Sequence, residues 1–304
     1  MSFNTLMALL VHSVVDGLGD KPTVMELGNQ TLKADDGALQ QILERSKAMD
    51  LDQVDVEGLR ALITQGADAR GDRAADYYRL LGFSDYQAID VNDLYGSLVM
   101  DLNTELSAAY DYRETFTLVT NNGTGEHVFN QDAIFRNVHA LTAPGGIMIH
   151  SMPFYEFVNH GFYSFHPNLY TALAEANDYQ LLALGVATRN GKGIVARSEE
   201  AESAGPILLD ESPVPLNVLL SEAKARQPGL KGLLKRFTGK PESRRFGRLL
   251  RGLQGDKQNL LLFSILRKQQ DAPFKTPIQG IYAGVVDDVL KPAYGLEAQP
   301  GSTK

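Results

Sequence analysis

The fold is decided by residues 116–152, which read FTLVTNNGTGEHVFNQDAIFRNVHALTAPGGIMIHSM. An apolar run at 116–120 ends in the turn-forming sequence Asn-Asn-Gly, as buried strands commonly do. Apolar residues then recur at spacings of three, four and seven as far as Leu141, which predicts an amphipathic helix. Pro-Gly-Gly at 144–146 is expected to stop this helix before a second buried strand at 147–152.

Two strands joined by a helix form a βαβ unit, and such a crossover is almost always right-handed within a parallel sheet. In open α/β sheets, ligands bind at the carboxyl ends of the strands. We therefore expect residues 121–127 and 150–153 to lie on the ligand-binding edge of the sheet.

The remaining elements alternate in the same way along the chain. Helices are predicted at 3–15, 36–49, 55–65, 72–81 and 166–177. Strands are predicted at Thr23–Leu27, 86–91, 97–102, 116–120, 147–152, 179–188 and Leu260–Lys268. This alternation predicts an α/β fold with a doubly wound sheet. We interpret residues 1–304 as a single domain, with a helical insertion at 205–257 before the last strand.

Composition excludes several classes of protein. With 304 residues, 43% of them hydrophobic, the chain can bury a sizeable core. The absence of cysteine excludes a disulfide framework and thiolate chemistry. No signal peptide opens the sequence, and no apolar run approaches the ~20 residues that cross a bilayer, so we expect a soluble, cytoplasmic protein.

The net charge of −8 conceals a strongly basic segment at 224–257. It holds eleven lysines and arginines against two acidic residues, so it carries +9 and the rest of the chain −17. Its apolar residues have helical spacing, which predicts two short basic amphipathic helices. The alternatives are a lid with solvated charges, a docking element for an anionic membrane surface or lipid-linked substrate, and a site for an anionic molecule. The acidity of the whole chain weighs against nucleic acid.

Three strand ends carry residues suited to a nucleoside-like ligand. After the first strand, Gly28 in VMELGNQ (24–30) lets the backbone approach a ligand closely. Asp90 ends the second strand, where a carboxylate can accept hydrogen bonds from both hydroxyls of a ribose. Asp101 follows the third strand. Each residue could also be an ordinary turn or cap residue, but their order along the chain favours a binding site.

The sequence EHVFNQDAIFRNVHALTAPGGIMIH (126–150) resembles the region between the fourth and fifth strands of class I S-adenosylmethionine-dependent methyltransferases. ELGNQ (26–30) is similar to the first motif of that family, AIDVND (88–93) to the second and MDLN (100–103) to the third. The family usually has further glycines in its first motif, where this chain has Asn29, Gln30 and Thr31.

The resemblance implies a Rossmann-like methyltransferase fold, with a mostly parallel sheet of seven strands whose last strand, Leu260–Lys268, is antiparallel. It also implies S-adenosyl-L-methionine as the cofactor, and a position for each of its parts. The methionine moiety would be bordered by Glu26 and Gly28, with Asn29 and Gln30. Asp90 would hold the ribose, and Asp101 and Leu102 would lie beside the adenine. Asn121, Asn122 and Gly123 would pass beneath the sulfonium.

Histidines near the same edge are candidates for taking a proton from the methyl acceptor. His160 is the preferred candidate, either as the base or as an acceptor-binding residue in an aromatic loop. His150 could equally be a core or a site residue, and His127 could serve only in local capping and packing. A metal cluster is the alternative interpretation of these histidines, but their spacings repeat no known metal-ligand pattern, so no metal site is predicted.

The sequence therefore predicts in-line methyl transfer to an O or N atom of a small-molecule or saccharide-type acceptor. One alternative is a non-catalytic relative that keeps the fold for binding or assembly. The other is a nicotinamide-dependent oxidoreductase, which would need a fuller glycine fingerprint than GNQT at 28–31. The acceptor and the oligomeric state are left open.

Overall fold

The computed structural model describes residues 2–66, 74–196, 210–213, 259–279, 286–287 and 289–294. Apart from 210–213, the insertion predicted at 205–257 lies outside these residues, and so does the whole basic segment 224–257. The insertion and its roles as a lid or docking element therefore stay predictions.

Strands and helices alternate through the described residues. The strands are β1 (Ser2–Asn4), β2 (Thr23–Leu27), β3 (Thr31–Lys33), β4 (Asp85–Asp90), β5 (Leu98–Val99), β6 (Phe116–Asn122), β7 (Thr142–Tyr155), β8 (Tyr179–Ala187), β9 (Lys192–Ala196), β10 (Asp210–Pro213) and β11 (Leu260–Lys268). The α-helices are α1 (Thr5–Val14), α2 (Asp36–Ala48), α3 (Val56–Thr64), α4 (Ala74–Leu80), α5 (Leu106–Ala109), α6 (Gln131–Leu141) and α7 (Pro167–Asn177). Short 3-10 helices occur at Val15–Leu18, Leu94–Gly96, Gly125–His127 and Lys291–Tyr294.

Nine strands form one sheet in the order β10-β9-β8-β11-β7-β6-β2-β4-β5. The half from β7 to β5 is parallel throughout. β11 is antiparallel to both of its neighbours, β7 and β8, as expected for the last predicted strand. The predicted fold class, a doubly wound and mostly parallel sheet built on seven strands, is confirmed. β9 and β10 extend the β8 edge, and β1 pairs with β3 in a separate small sheet.

Two predicted elements differ in detail from those observed. The strand predicted at 97–102 is only Leu98–Val99. The Pro-Gly-Gly turn at 144–146 does not stop α6, because that helix has already ended at Leu141. The backbone N–H and the hydroxyl of Thr142 both hydrogen-bond the Val138 carbonyl, which closes the last turn, and β7 starts at once. Pro-Gly-Gly then lies inside β7, where the register with β6 shifts.

Helices cover both faces of the sheet. On one face, the residues of α1, α2, α3 and α4 share a core cluster with Leu118 and Ile149 of the sheet. On the other face, α6 and α7 share a cluster with Met25 and Val119. Asp35 and Asp55 cap α2 and α3, since each side chain accepts a hydrogen bond from the first turn of the helix. Among the described residues, none of the helices has the length and apolar character needed to cross a membrane.

Candidate functional site

Four strand ends meet at the carboxyl edge of the parallel half of the sheet. Leu27 of β2 lies opposite Ile89 of β4 and Asn121 of β6, and Asn121 lies opposite His150 of β7. The segments that follow these strands, which the sequence predicted as the binding edge, are therefore neighbours in space. This edge is the candidate site.

Glu26 lies beneath this edge rather than on it. Its side chain is fully buried, and its two carboxyl oxygens accept hydrogen bonds from the Tyr86 hydroxyl at 2.8 Å and the Tyr78 hydroxyl at 3.2 Å. Burial raises the pKa of Glu26 from its usual 4.5 to about 8, although both tyrosine hydrogen bonds oppose that shift. The carboxyl group is therefore enclosed by protein, and its predicted place beside the methionine moiety is not supported by its surroundings.

Gly28 is required by protein packing. Its φ of +77° lies in the left-handed region, and a Cβ at this position would lie 2.3 Å from Oγ1 of Thr124. Thr124 in turn donates its hydroxyl to the Leu27 carbonyl at 2.6 Å. The chain after Gly28 enters the short strand β3, and the next helix, α2, begins only at Asp36. The glycine turn is thus fixed against the segment that follows β6.

Asp90 joins the ends of β2 and β4. Its Oδ2 accepts a hydrogen bond from the Asn29 backbone N–H at 3.0 Å. Its Oδ1 accepts hydrogen bonds from the Val91 backbone N–H at 2.7 Å and the Asn92 side chain at 2.9 Å. Asp90 remains half-buried at the sheet edge, so it can still meet a ligand. Gln30 is buried, and its amide donates to the carbonyls of Gly28 and Asn122.

The two residues predicted to lie beside an adenine have different surroundings. Asp101 is exposed, and hydrogen bonds from the backbone and side chain of Asn103 lower the pKa of its carboxyl group. Leu102 is buried in the core cluster on the α6 face. Near the ends of β4 and β5, apolar side chains are at least half exposed, namely those of Val91, Leu94, Tyr95 and Val99. Of these residues, Val99 of β5 is paired directly with Asp90 of β4.

The segment predicted to pass beneath a sulfonium is tightly held. The Asn121 amide donates to Nδ1 of His150 at 3.3 Å, and its oxygen accepts a hydrogen bond from the Gly125 N–H at 2.9 Å. The Asn122 amide donates to the Ser2 carbonyl at 3.2 Å, and the Gly123 N–H donates to the Ser151 carbonyl at 2.9 Å. This network gives the carboxyl end of β6 a fixed shape.

His150 lies in the core, apart from His127 and His160. Its side chain is 1% exposed, and its ring lies between those of Phe135 and Tyr170, with centroid distances of 5.7 and 5.2 Å. Burial lowers the pKa of His150 to about 3, so the imidazole is neutral and its Nδ1 can accept the hydrogen bond from Asn121. In these surroundings His150 positions Asn121, which in turn holds Gly125.

Acid is expected to destabilise the wild-type protein more than a His150→Gln variant. Because the folded-state pKa of His150 lies far below the usual 6.5, only the unfolded state binds the proton as the pH falls. From pH 6.5 to about pH 4 this costs the wild type about 3 kcal/mol. Urea denaturation across this range measures the difference, and parallel pH profiles of the two proteins would contradict it.

Glu126, His127 and His160 form a group of titratable side chains at this edge. Nε2 of His160 lies 3.3 Å and Nε2 of His127 lies 3.8 Å from the same carboxylate oxygen, Oε1 of Glu126. The two imidazole rings are 5.1 Å apart. The sequence predicted both histidines but missed Glu126 as a site residue, although its place directly before His127 was a usable signal.

Burial shifts the pKa values in this group. It raises the pKa of Glu126 to about 7, against the opposing charge of Arg189. The pKa of His160 is lowered by burial and then by Arg189, and that of His127 by burial and then by His160. The carboxyl group is the most deeply placed of the three, with 1% of its residue exposed.

The loop after β7 is held against Glu126. The Phe162 N–H donates to the Glu126 carbonyl at 2.8 Å, and a Cβ on Gly161 would lie 2.9 Å from Cγ of Glu126. Close approach at Gly161 therefore brings His160 to the carboxylate. Phe129 and Phe162 stack edge to face at 5.9 Å and are largely exposed, so the group has an aromatic border.

No model of a known protein family matches this sequence, and no curated protein matches it. Solved structures are distantly similar. They include N-methyltransferase NodS from Bradyrhizobium japonicum WM9 (11% identity, 86% of this chain, 93% of that chain, TM-score 0.36). Another is 1,6-didemethyltoxoflavin-N1-methyltransferase of Burkholderia thailandensis (12% identity, 87% of this chain, 80% of that chain, TM-score 0.33). A third is the O-methyltransferase of a trans-AT PKS multienzyme of Brevibacillus brevis (11% identity, 87% of this chain, 73% of that chain, TM-score 0.34).

The fold is methyltransferase-like. The strand order and the antiparallel position of β11 carry this statement, since they are properties of the chain itself. At these identities and TM-scores, the similarity to solved structures does not extend to activity or acceptor.

A cavity of about 500 Å³ lies at the opposite, amino-terminal edge of the methyltransferase-like sheet. Three buried polar side chains line it, and all three are satisfied by protein groups. The Asn137 amide donates to the Thr104 carbonyl at 2.8 Å, and its oxygen accepts a hydrogen bond from the Leu106 N–H at 3.0 Å. Lys268 donates to the carbonyls of His139 and Thr142, each at 3.0 Å. Both ring nitrogens of His139 are hydrogen-bonded, to the Tyr179 hydroxyl and the Ala272 carbonyl. These contacts indicate a structural role for the polar lining of this cavity.

Proposed function

We propose that this protein is an S-adenosylmethionine-dependent methyltransferase that acts on an O or N atom of a small-molecule or saccharide-type acceptor. The observation that carries the proposal is the placement of Glu126 and His160, 3.3 Å apart, at the end of the strand that also carries Asn121 and Asn122. Asp90 lies on the same carboxyl edge, two strands away. Acceptor-binding and cofactor-binding groups would thus share one edge of the sheet.

S-adenosylmethionine supplies an electrophilic methyl group when it is bound. Asp90 is the proposed partner of the ribose hydroxyls, because a half-buried carboxylate makes strong charge-assisted hydrogen bonds. The exposed side chains of Val91, Leu94 and Tyr95 offer an apolar surface for the adenine, and the exposed Asp101 is the proposed polar residue beside it. Leu102 would support this surface from the core.

The methionine end of the cofactor would be held without the Glu26 carboxylate. Gly28, Asn29 and Gln30 form the turn that borders this end, and the side chain of Asn29 is half-exposed. Asn122 and Gly123 continue the border on β6. We propose that these backbone and amide groups replace the acidic contact that the sequence resemblance implied.

His160 and Glu126 are the proposed acceptor-binding pair, with His127 beside them. Methyl transfer depends chiefly on aligning nucleophile, carbon and sulfur, so holding the acceptor is the main task of these residues. His160 is also the proposed proton acceptor when the nucleophile is a hydroxyl or an ammonium. His150 would act indirectly, by positioning Asn121 and thereby the 3-10 helix that carries Glu126 and His127.

A non-catalytic binding protein is the second candidate, favoured by the enclosure of Glu26 and the single glycine of the turn. A nicotinamide-dependent oxidoreductase is less well supported. The pyrophosphate of a dinucleotide normally rests on a helix N-terminus directly after the glycine turn. Here the turn leads into β3, and the N-terminus of α2 is already capped by Asp35.

Titration calorimetry of the full chain with S-adenosylmethionine and S-adenosylhomocysteine tests the proposal. We expect both compounds to bind at one site per chain, and NAD to produce no thermal stabilisation. Failure of both compounds to bind would overturn the enzyme proposal and leave the non-catalytic alternative. Stabilisation by NAD without binding of either compound would support the oxidoreductase instead.

Asp90→Ala is expected to weaken S-adenosylhomocysteine binding at least about tenfold, because the ribose hydroxyls lose a charged hydrogen-bond partner. Asp90→Asn keeps an acceptor for the Asn29 N–H and separates that structural role from ligand binding. Asp93→Ala makes the same change of charge at an exposed position and is the matched control. Equal affinities of the Asp90 and Asp93 variants would remove Asp90 from the site.

A further inference from the structure

The group of Glu126, His127 and His160 has the geometry of three ligands to one metal ion. Each side chain offers one ligand atom, and these atoms all lie within 4.8 Å of one another. Oε1 of Glu126 lies 3.3 Å from Nε2 of His160 and 3.8 Å from Nε2 of His127. Ligand atoms around a tetrahedral zinc ion, with bonds of about 2.1 Å, are about 3.4 Å apart. The ligand atoms, which lie at most 4.8 Å apart, would therefore have to move together by about 1.4 Å or less.

A second observation points to a missing positive partner. Oε2 of Glu126 is buried and accepts no hydrogen bond from the described residues. Within the described part of the chain, the ion pairs of Glu126 are those with His127 and His160, both through Oε1. A buried carboxylate oxygen without a donor is costly. A cation bound by both carboxylate oxygens, or by one with water on the other, would satisfy it.

The three ligands are held in place by the fold. Glu126 and His127 lie on the 3-10 helix whose first residue, Gly125, hydrogen-bonds Asn121. His160 lies on the loop that Phe162 fastens to the Glu126 carbonyl. Two elements that are far apart in sequence are thus fixed to each other, as a preorganised metal site requires.

We propose that Glu126, His127 and His160 bind a first-row divalent transition-metal cation. Two imidazoles and one carboxylate suit Zn²⁺, Co²⁺, Fe²⁺ or Mn²⁺, whereas Mg²⁺ and Ca²⁺ prefer oxygen ligands. Three protein ligands leave further coordination positions open. On the basis of the proposed methyl transfer, these positions would take an oxygen of the acceptor, and the bound ion would then hold that oxygen in place of a free His160 base. The acceptor class thereby narrows to small molecules with a hydroxyl or carboxylate group.

Cobalt is the probe for this site, because Co²⁺ reports its ligands by visible absorption. The full chain, free of any histidine tag and dialysed against EDTA and then against metal-free buffer, is titrated with Co²⁺ and in parallel with Zn²⁺ in the calorimeter. We expect one equivalent to bind and Mg²⁺ to fail to displace it. The absence of Co²⁺ and Zn²⁺ binding in correctly folded wild-type protein would overturn the proposal.

Single substitutions locate the site. His127→Ala and His160→Ala, both at partly exposed positions, are expected to lower the Co²⁺ affinity at least about tenfold, as is Glu126→Gln. His166→Ala removes an exposed histidine of the same loop region and should leave the affinity unchanged. Arg189→Met removes the positive charge that acts on Glu126 and His160, and should tighten binding. Undiminished binding in a His127→Ala/His160→Ala double variant would place the ion elsewhere and refute the site.

The metal proposal and the methyltransferase proposal fail separately. Binding of S-adenosylhomocysteine is measured with EDTA present, and Co²⁺ binding is measured without the nucleoside. Bound cobalt together with absent S-adenosylhomocysteine binding would uphold the metal site and overturn the methyl transfer. The opposite pattern would overturn the metal site alone.

Discussion

Glu26→Gln is expected to remove a loss of stability that the wild-type protein suffers as the pH rises. From about pH 5 to about pH 7.5, the free energy of unfolding of the wild type should fall by about 3 kcal/mol relative to the variant. The cause is the buried carboxyl group, whose pKa is raised to about 8 in the folded protein. Urea denaturation at a series of pH values measures this difference.

The sign follows from the order of the two pKa values. Above its usual pKa of 4.5, Glu26 ionises in the unfolded chain but stays protonated in the fold until the pH approaches 8. The folded state then binds the extra proton, so stability is fully present below pH 4.5 and is lost as the pH rises. Tyr78 and Tyr86 stay protonated in this range, because burial raises the pKa of each.

Tyr86→Phe provides a directional control for the Glu26 prediction. The Tyr86 hydroxyl donates to Oε2 of Glu26 and lowers the pKa of that carboxyl group. Its removal should therefore move the midpoint of the stability loss to a higher pH in the presence of Glu26, and should have no such effect in the Glu26→Gln background. Equal pH dependence of the wild type and Glu26→Gln would show that Glu26 is ionised in the fold.

The sequence was a good guide to the elements of the fold. β2 and β11 were predicted with the observed bounds, because each is an apolar run between clear turn signals. The strands missed were β1, β3, β9 and β10, of which β1 and β3 have only three residues each. Pairings that short depend on contacts that no local pattern encodes. The prediction that Pro-Gly-Gly ends α6 was wrong for a similar reason, because α6 ends at Leu141, where the Thr142 hydroxyl bonds the Val138 carbonyl.

The candidate site was less predictable than the fold. His160 and Glu126 are 34 residues apart, and they meet only because the βαβ crossover returns β7 beside β6. Nothing in ELGNQ shows that Glu26 faces two tyrosines, since Tyr78 comes from α4 and Tyr86 from β4. Side chains that are distant in sequence therefore decide whether a residue at a strand end is exposed to a ligand or enclosed by protein.

The two halves of the candidate site are joined through Thr124. Its hydroxyl donates to the Leu27 carbonyl at the end of β2, and its own carbonyl accepts a hydrogen bond from the His127 N–H at 3.0 Å. Thr124, which packs against Gly28 of the proposed cofactor turn, therefore stands between that turn and His127. A substitution at Gly28 should therefore affect both the turn after β2 and the 3-10 helix that carries His127.

Gly28→Ala is expected to destabilise the protein by about 3 kcal/mol, through the strained left-handed backbone and the contact with Thr124. Gly66→Ala is the matched control, because Gly66 in the turn after α3 has a similar φ of +72° and, among the described residues, nothing within 4 Å of the added Cβ. It should cost only the backbone strain, about 1 kcal/mol. Denaturant unfolding of both variants separates packing from conformation.

Thr124→Ala tests the packing part directly. Alone it should cost about 1 kcal/mol, since the hydrogen bond to the Leu27 carbonyl is lost. Combined with Gly28→Ala it removes the Oγ1 that the new Cβ would meet at 2.3 Å, so the double variant should be more stable than the sum of the two single effects predicts, by about 1 kcal/mol. Strict additivity would mean that Gly28 is needed for its backbone conformation alone. In that case the cofactor turn and the 3-10 helix of His127 would not be coupled through this contact.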